Sequence, residues 1–177
     1  MCVICVKPNC FLNRILKMKL NQIFTLSILC LALTSCVTLQ PATAIKKGDI
    51  KNYKYIYISQ TKSLTSSTGT SINGQYYSTS KSVNPKDVIA GILVKEGYIL
   101  VPELKNDISD ETLIVNYGES GRRSTGLGGY TIEVTIQFIS TTNSLVCSCT
   151  AEGQGSTEAD DIRQAITRCL NKIVTNK

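Results

Sequence analysis

The chain has 177 residues, with 19 Lys and Arg against 13 Asp and Glu, a formal charge of +6, and neither His nor Trp. Without histidine, the commonest general base, metal ligand and triad member is missing, which sets aside the most frequent hydrolytic and zinc chemistries. Eight cysteines turn attention instead to processing and redox compartment.

The first 17 residues, MCVICVKPNCFLNRILK, carry Cys2, Cys5 and Cys10 at Cys-x2-Cys-x4-Cys spacing. With no His and no second cysteine pair nearby, this spacing is a poor metal site, and no metal or cofactor is expected. Met18 is the expected true start, making the preceding stretch a start-site error. Arg14, Lys17 and Lys19 then lead into the uncharged apolar run Leu20–Leu33. Its 14 residues fall short of the roughly 20 needed to span a bilayer, so it reads as a signal peptide. A buried core helix is the alternative, disfavoured by the lack of a polar face and by the amino-terminal position.

The run closes in Leu33-Thr34-Ser35-Cys36, which resembles the lipobox of bacterial lipoproteins: an aliphatic residue, two small residues and a cysteine. The resemblance implies diacylation of the Cys36 thiol, cleavage just before it and a further acyl chain on the new amino terminus. Two or more chains anchor a soluble domain stably where one does not. Residue 37 is Val rather than Asp, which by resemblance to Gram-negative sorting implies an outer-membrane address. Whether the domain faces the periplasm or the cell surface stays open. Residues 1–35 are thus expected to be a removed leader, and the membrane a partner through acylated Cys36.

All 13 acidic residues follow Cys36, whereas Lys7, Arg14, Lys17 and Lys19 precede it, so the processed chain carries only +2. That balance, without a basic stripe interleaved with aromatics, argues against nucleic acid as a partner. Residues 36–52 lack periodicity and read as a lipid-anchored tether, leaving 53–177 as one domain.

The domain opens with YKYIYIS, where Tyr53, Tyr55 and Tyr57 alternate with Lys54, Ile56 and Ile58 as in a strand. From Gln60 to Ser82 the chain is rich in Ser, Thr and Gly; Asn-Gly within INGQYY allows a small hairpin, but the composition favours a mobile loop. NPKDVIAGILVKEG predicts a helix capped by Asn84, with Pro85 in its first turn, an apolar face of Val88, Ile89, Ile92 and Leu93, and Gly97 at its end. YILVPE, TLIVNY, YTIEVTIQFIS and SLVCSCTAEG predict four further strands, the last two joined as a hairpin. STEADDIRQAITRCLNKI predicts a final helix with Thr157 and Asp160 as a capping box and Ile162, Ala165, Ile166, Cys169, Leu170 and Ile173 on one face. These elements predict an α+β domain: a single mostly antiparallel sheet with two amphipathic helices packed on one face.

The stretch GESGRRSTGLGG places Arg122 and Arg123 among glycines that include Gly121 and Gly126. It is the candidate binding tip, a basic and adaptable strand connection, with solvated arginines as the plainer reading. No helix opens after it, so a phosphate cradle is not expected. Cys147 and Cys149 share a strand face, opposite the helix that carries Cys169. Three buried thiols are favoured over a bridge from one of the pair to Cys169. No carboxylate pair stands out as acid and base, and Ser120 and Ser124 have no visible base. The tyrosines offer stacking surfaces for sugars, although strand alternation accounts for the first three.

Residues 53 to 174 resemble small outer-membrane lipoproteins of Gram-negative bacteria that run tyrosine-rich strand, helix ending in a sequence like EGY, TLIVNY, hairpin and terminal amphipathic helix. More distantly the domain is similar to periplasmic activator lipoproteins of cell-wall synthases and to the amino-terminal domain of the translocation protein TolB. These resemblances imply a non-enzymatic module that docks on another envelope component. The alternative is a carbohydrate- or lipid-binding subunit with its tyrosines around a cleft.

Overall fold

Alternating apolar residues build most of this domain into strands. The computed structural model describes residues 38–126 and 129–174; the leader and Cys36 lie outside them. In chain order the elements are β1 (Thr43–Lys46), a 3₁₀ turn (Ile50–Asn52), β2 (Tyr55–Ile58), β3 (Leu64–Ile72), β4 (Gln75–Val83), α1 (Pro85–Lys95) and β5 (Ile99–Leu100). A second 3₁₀ turn (Asn106–Glu111), β6 (Thr112–Gly126), β7 (Gly129–Ser140), β8 (Leu145–Gly153) and α2 (Glu158–Val174) complete the order.

The main sheet has six strands in the order β1-β8-β7-β6-β2-β5. The expected single, mostly antiparallel sheet is corrected here. The sheet is mixed, because β2 pairs in parallel with β5 on one side and with β6 on the other, and β3 with β4 forms a separate two-stranded sheet. Tyr55 stands opposite both Ile99 and Thr112. Two connections produce this. Helix α1 lies between β2 and β5, the kind of crossover a parallel neighbour requires. Between β5 and β6 the 3₁₀ turn at Asn106–Glu111 brings the chain back to the starting level of β2, where a tight hairpin would have reversed it.

Residues 36–52 are read from sequence as tether, yet their described part contains β1, which pairs antiparallel with β8 from Thr43↔Thr150 to Lys46↔Cys147. The Ser/Thr-rich stretch favoured as a loop is a regular antiparallel hairpin of nine residues on each side. Its turn is Asn73-Gly74, with φ of +52° and +77°, the left-handed pair that a twisted hairpin needs. The local Asn-Gly signal therefore outweighed the loop-like composition around it.

Alternation on β7 sends Ile132, Val134, Ile136 and Phe138 into the core, and α2 covers them with Ile162, Ala165, Ile166, Cys169, Leu170 and Ile173. Helix α1 adds Ile89 and Leu93, packing against α2 and β5. Helix α2 runs antiparallel to β8. Asp161 and Ala165 sit against Gly153, Cys169 is joined to Cys149, and Ile173 lies beside Cys147. Four helical residues rise about 6 Å and two strand residues about 6.8 Å, so the two elements stay in step along their contact.

Candidate functional site

The glycine-arginine tip is part of the sheet. Strand β6 continues through it to Gly126, paired with β7 as far as Gly126↔Gly129, and the register shifts between Glu119 and Gly121 and again between Ser124 and Gly126. Strand alternation then parts the two arginines. Arg122 pairs with Ile132 and lies on the helix-covered face, where it binds the Glu158 carboxylate in the first turn of α2 and stacks 5.2 Å from the Tyr130 ring centroid. Arg123 pairs with Thr131 and turns to the opposite face. There it reaches across β7 to Glu152, with Nε and Nη2 donating at 2.8 and 2.6 Å. Gly121 lies at the bulge opposite Glu133. The structure therefore does not bring Arg122 and Arg123 together into a basic tip.

Glu152, which no sequence motif marks, is the hub of the sheet face turned away from the helices. Besides Arg123 it accepts the backbone N–H of Gln40 at 2.9 Å, and its own carbonyl accepts from Arg168. Arg168 also donates to the Gln40 carbonyl at 2.7 Å, stitching the start of the domain to β8 and α2. The Arg123 guanidinium, followed by the Gln40 amide, holds the Glu152 carboxyl down to about 2. The only signal in sequence was one acid within an otherwise neutral strand.

At the start of α2, Thr157 Oγ1 accepts from the Asp160 amide at 3.2 Å, one half of the expected capping box. The Asp160 carboxylate does not reach back to complete it; it accepts from Ser156 at 2.6 Å and pairs with Lys81 of β4 at 2.8 Å. Ser66 of β3 accepts from the Ala159 amide at 3.0 Å, and Arg163 donates to the Ser82 carbonyl at 3.3 Å. The hairpin is thus docked by its base along the first turns of α2. A groove of about 320 Å³ remains between them, lined by Ser66, Ser67 and Thr68, by Tyr130, and by Gln154 to Glu158 with Asp161. Asp161 is buried; desolvation raises its carboxyl above the ordinary range, while the Gly155 N–H opposes the shift.

The tyrosines do not ring this groove. Tyr130 alone among them lines it, while Tyr76 and Tyr77 are exposed on opposite faces of the β3–β4 hairpin. Tyr98 and Tyr117 are half-buried with hydroxyls pushed up by desolvation, Tyr98 to about 12.

A second cleft, of about 370 Å³, lies at the far end of α2, lined by Lys46, Asp49, Tyr98, Cys147 and Ile173 among others. Cys147 is a buried free thiol pushed up to about 12 by desolvation, so it is protonated at neutral pH and a poor nucleophile. The favoured arrangement of three thiols is not what the structure has: Cys149 and Cys169 form a disulfide with Cα atoms 5.4 Å apart. Among the described residues no cluster of three or more His, Cys, Asp or Glu is placed to hold a metal. No helix among them is long and apolar enough to cross a membrane.

No protein-family model matches the chain, and no curated protein does. Solved structures similar to it include two crystal forms of a PelC dodecamer from Paraburkholderia phytofirmans. One is 16% identical, covers 77% of this chain and 99% of that one, and gives a TM-score of 0.44. The other is 16% identical, covers 80% and 99%, and gives 0.41. A likeness at this level carries no argument about fold, assembly or function.

Proposed function

We propose that this is a lipid-anchored outer-membrane protein that acts by binding another component of the cell envelope and does no chemistry itself. The observation that carries the reading is how little chain separates the lipobox-like Cys36 from the domain. Gln40 is already hydrogen-bonded through both its amide and its carbonyl. A domain sewn to its anchor in this way suits a module that works at a membrane surface. The charged side chains at the candidate site favour docking through the sheet edge over docking through a charged tip. Arg122, Arg123 and Lys81 are each paired with a carboxylate of the same chain. Tyrosines divided between the two faces of a hairpin support a protein-docking module over a sugar-binding cleft.

Two experiments test the reading. Cells given an alkyne fatty acid are expected to label the full chain but not the Cys36→Ser variant, with the label in the outer-membrane fraction; equal labelling of both overturns the anchor. Photocrosslinkers at Ile99 on the β5 edge and at Tyr130 in the groove are expected to capture one identified envelope protein that also binds the purified chain. Failure at both positions, or capture without binding, overturns the docking role.

A further inference from the structure

Lipid-anchored domains commonly hang from a flexible leash, and the chain here leaves almost none. From Cys36 to Gln40 is four residue steps, at most about 14 Å when fully extended. Gln40 leaves the domain at the Glu152 end of β8, and the antiparallel packing puts the amino terminus of α2 at that same end.

The β3–β4 hairpin points past this end. Its base lies beside Asn84 and Arg163, its third residue Ser66 meets Ala159, and Thr68 reaches the groove beside Tyr130. Each step moves toward the start of α2 and then beyond it. Five further residues carry the strand from Thr68 to Asn73, about 17 Å at strand rise. Thr68 already lies beside Gln154–Glu158, beyond the Glu152 level at which Gln40 is held, so this length matches or exceeds the reach of the tether and is enough for the tip to meet a bilayer that holds the acyl chains.

The composition of the tip suits that place. Ile72, Tyr76 and Tyr77 are exposed, at 55, 74 and 57%, with Ile72 and Tyr77 on one face of the hairpin and Tyr76 on the other, so both faces near the tip present apolar or aromatic surface. Tyrosine favours the membrane–water interface because its ring is apolar and its hydroxyl stays wet. Between Leu64 and Val83 there is no carboxylate, and the one charged side chain is Lys81 near the base, so anionic headgroups meet no repulsion. Tyr76 lies over Gly69, where any Cβ would collide with its ring; the missing side chain at residue 69 makes room for the aromatic.

We infer that the tip of the β3–β4 hairpin, through Ile72, Tyr76 and Tyr77, is a second membrane contact, seated in the interfacial layer of the bilayer that holds the Cys36 acyl chains. The inference rests on the lipid-anchor reading and adds an orientation to it. Two attachments fix the domain against the membrane, with the β7–β8 turn at Thr141–Ser144 pointing away.

The absence of tryptophan makes the test clean. The full lipidated chain, as Tyr77→Trp, Ile72→Trp or Thr142→Trp, is reconstituted in vesicles of phosphatidylethanolamine and phosphatidylglycerol with acyl chains brominated just below the headgroups. The two hairpin indoles are expected to lose roughly half of their emission relative to unbrominated vesicles, while the Thr142→Trp indole keeps its own. Flotation of all three variants with unquenched hairpin indoles overturns the inference and leaves the anchor standing. Failure of the wild-type chain to float, or equal flotation of Cys36→Ser, overturns the anchor and the inference built on it; two variants at the tip guard against one that misfolds.

Discussion

Arg122 and Arg123 are neighbours in sequence and are bound to carboxylates on opposite faces of the sheet, Arg122 to Glu158 and Arg123 to Glu152. The environments differ. Glu152 is 95% buried, whereas the Arg122 side chain is about half exposed. Removing Arg123 leaves a buried carboxylate short of its main donor, so Arg123→Ala is expected to cost about 2 kcal/mol. Arg122→Ala is expected to cost less than about 1 kcal/mol, as exposed pairs do. Urea unfolding of the two variants checks the difference; equal losses would mean that the Glu152 pair is solvated.

Acid is expected to weaken the fold through the same pair. The Glu152 carboxyl is held at about 2 against an ordinary 4.5. A lowered carboxyl contributes stability that is complete above the unfolded value and is lost as the pH falls through the folded one. Stability should therefore decline between about pH 4.5 and 2, and Glu152→Gln should flatten that part of the curve. Urea midpoints against pH for both proteins give the answer, and parallel curves would remove Glu152 from the account.

The disulfide makes a prediction by residue. Without reductant, unfolding is expected to expose Cys147 alone of the three domain cysteines to alkylation, and Cys149 and Cys169 only after reduction. The bridge spans 20 residues, so replacing both cysteines by Ala is expected to lower stability by about 3 kcal/mol on loop-closure grounds. Mapping of alkylated peptides, followed by denaturant unfolding, tests both halves.

Two glycines are expected to respond in opposite directions. A Cβ at Gly153 would meet the Asp161 carbonyl oxygen and come within 2.7 Å of the Ala165 nitrogen, so Gly153→Ala must lift α2 from β8. The expected cost exceeds about 3 kcal/mol. Gly91, inside α1, has open space around its Cβ position, and Gly91→Ala is expected to add up to about 1 kcal/mol by helix propensity. Thermal or urea unfolding would show the two signs.

The sequence by itself determined whatever depends on neighbours along the chain. Period two located β2, β7 and β8; Asn84 and Thr157 marked the starts of α1 and α2; and the apolar stripe from Ile162 to Ile173 named the core face of α2. Asn73-Gly74 specified a hairpin turn whose strength the surrounding Ser and Thr obscured. Only the tertiary structure decided what depends on pairing at a distance. Parallel neighbours for β2 followed from the paths of two connections, which periodicity does not encode. The choice of Cys149 over Cys147 followed from the antiparallel match of helix and strand rise, and the parting of Arg122 from Arg123 followed from β6 running on through its glycines. Glu152 gained its place because Gln40, Arg123 and Arg168, far apart in the chain, converge on one buried carboxylate and residue. Local propensity is a property of a few adjacent residues, whereas a site is assembled by packing from residues whose separation in sequence carries no record of their contact.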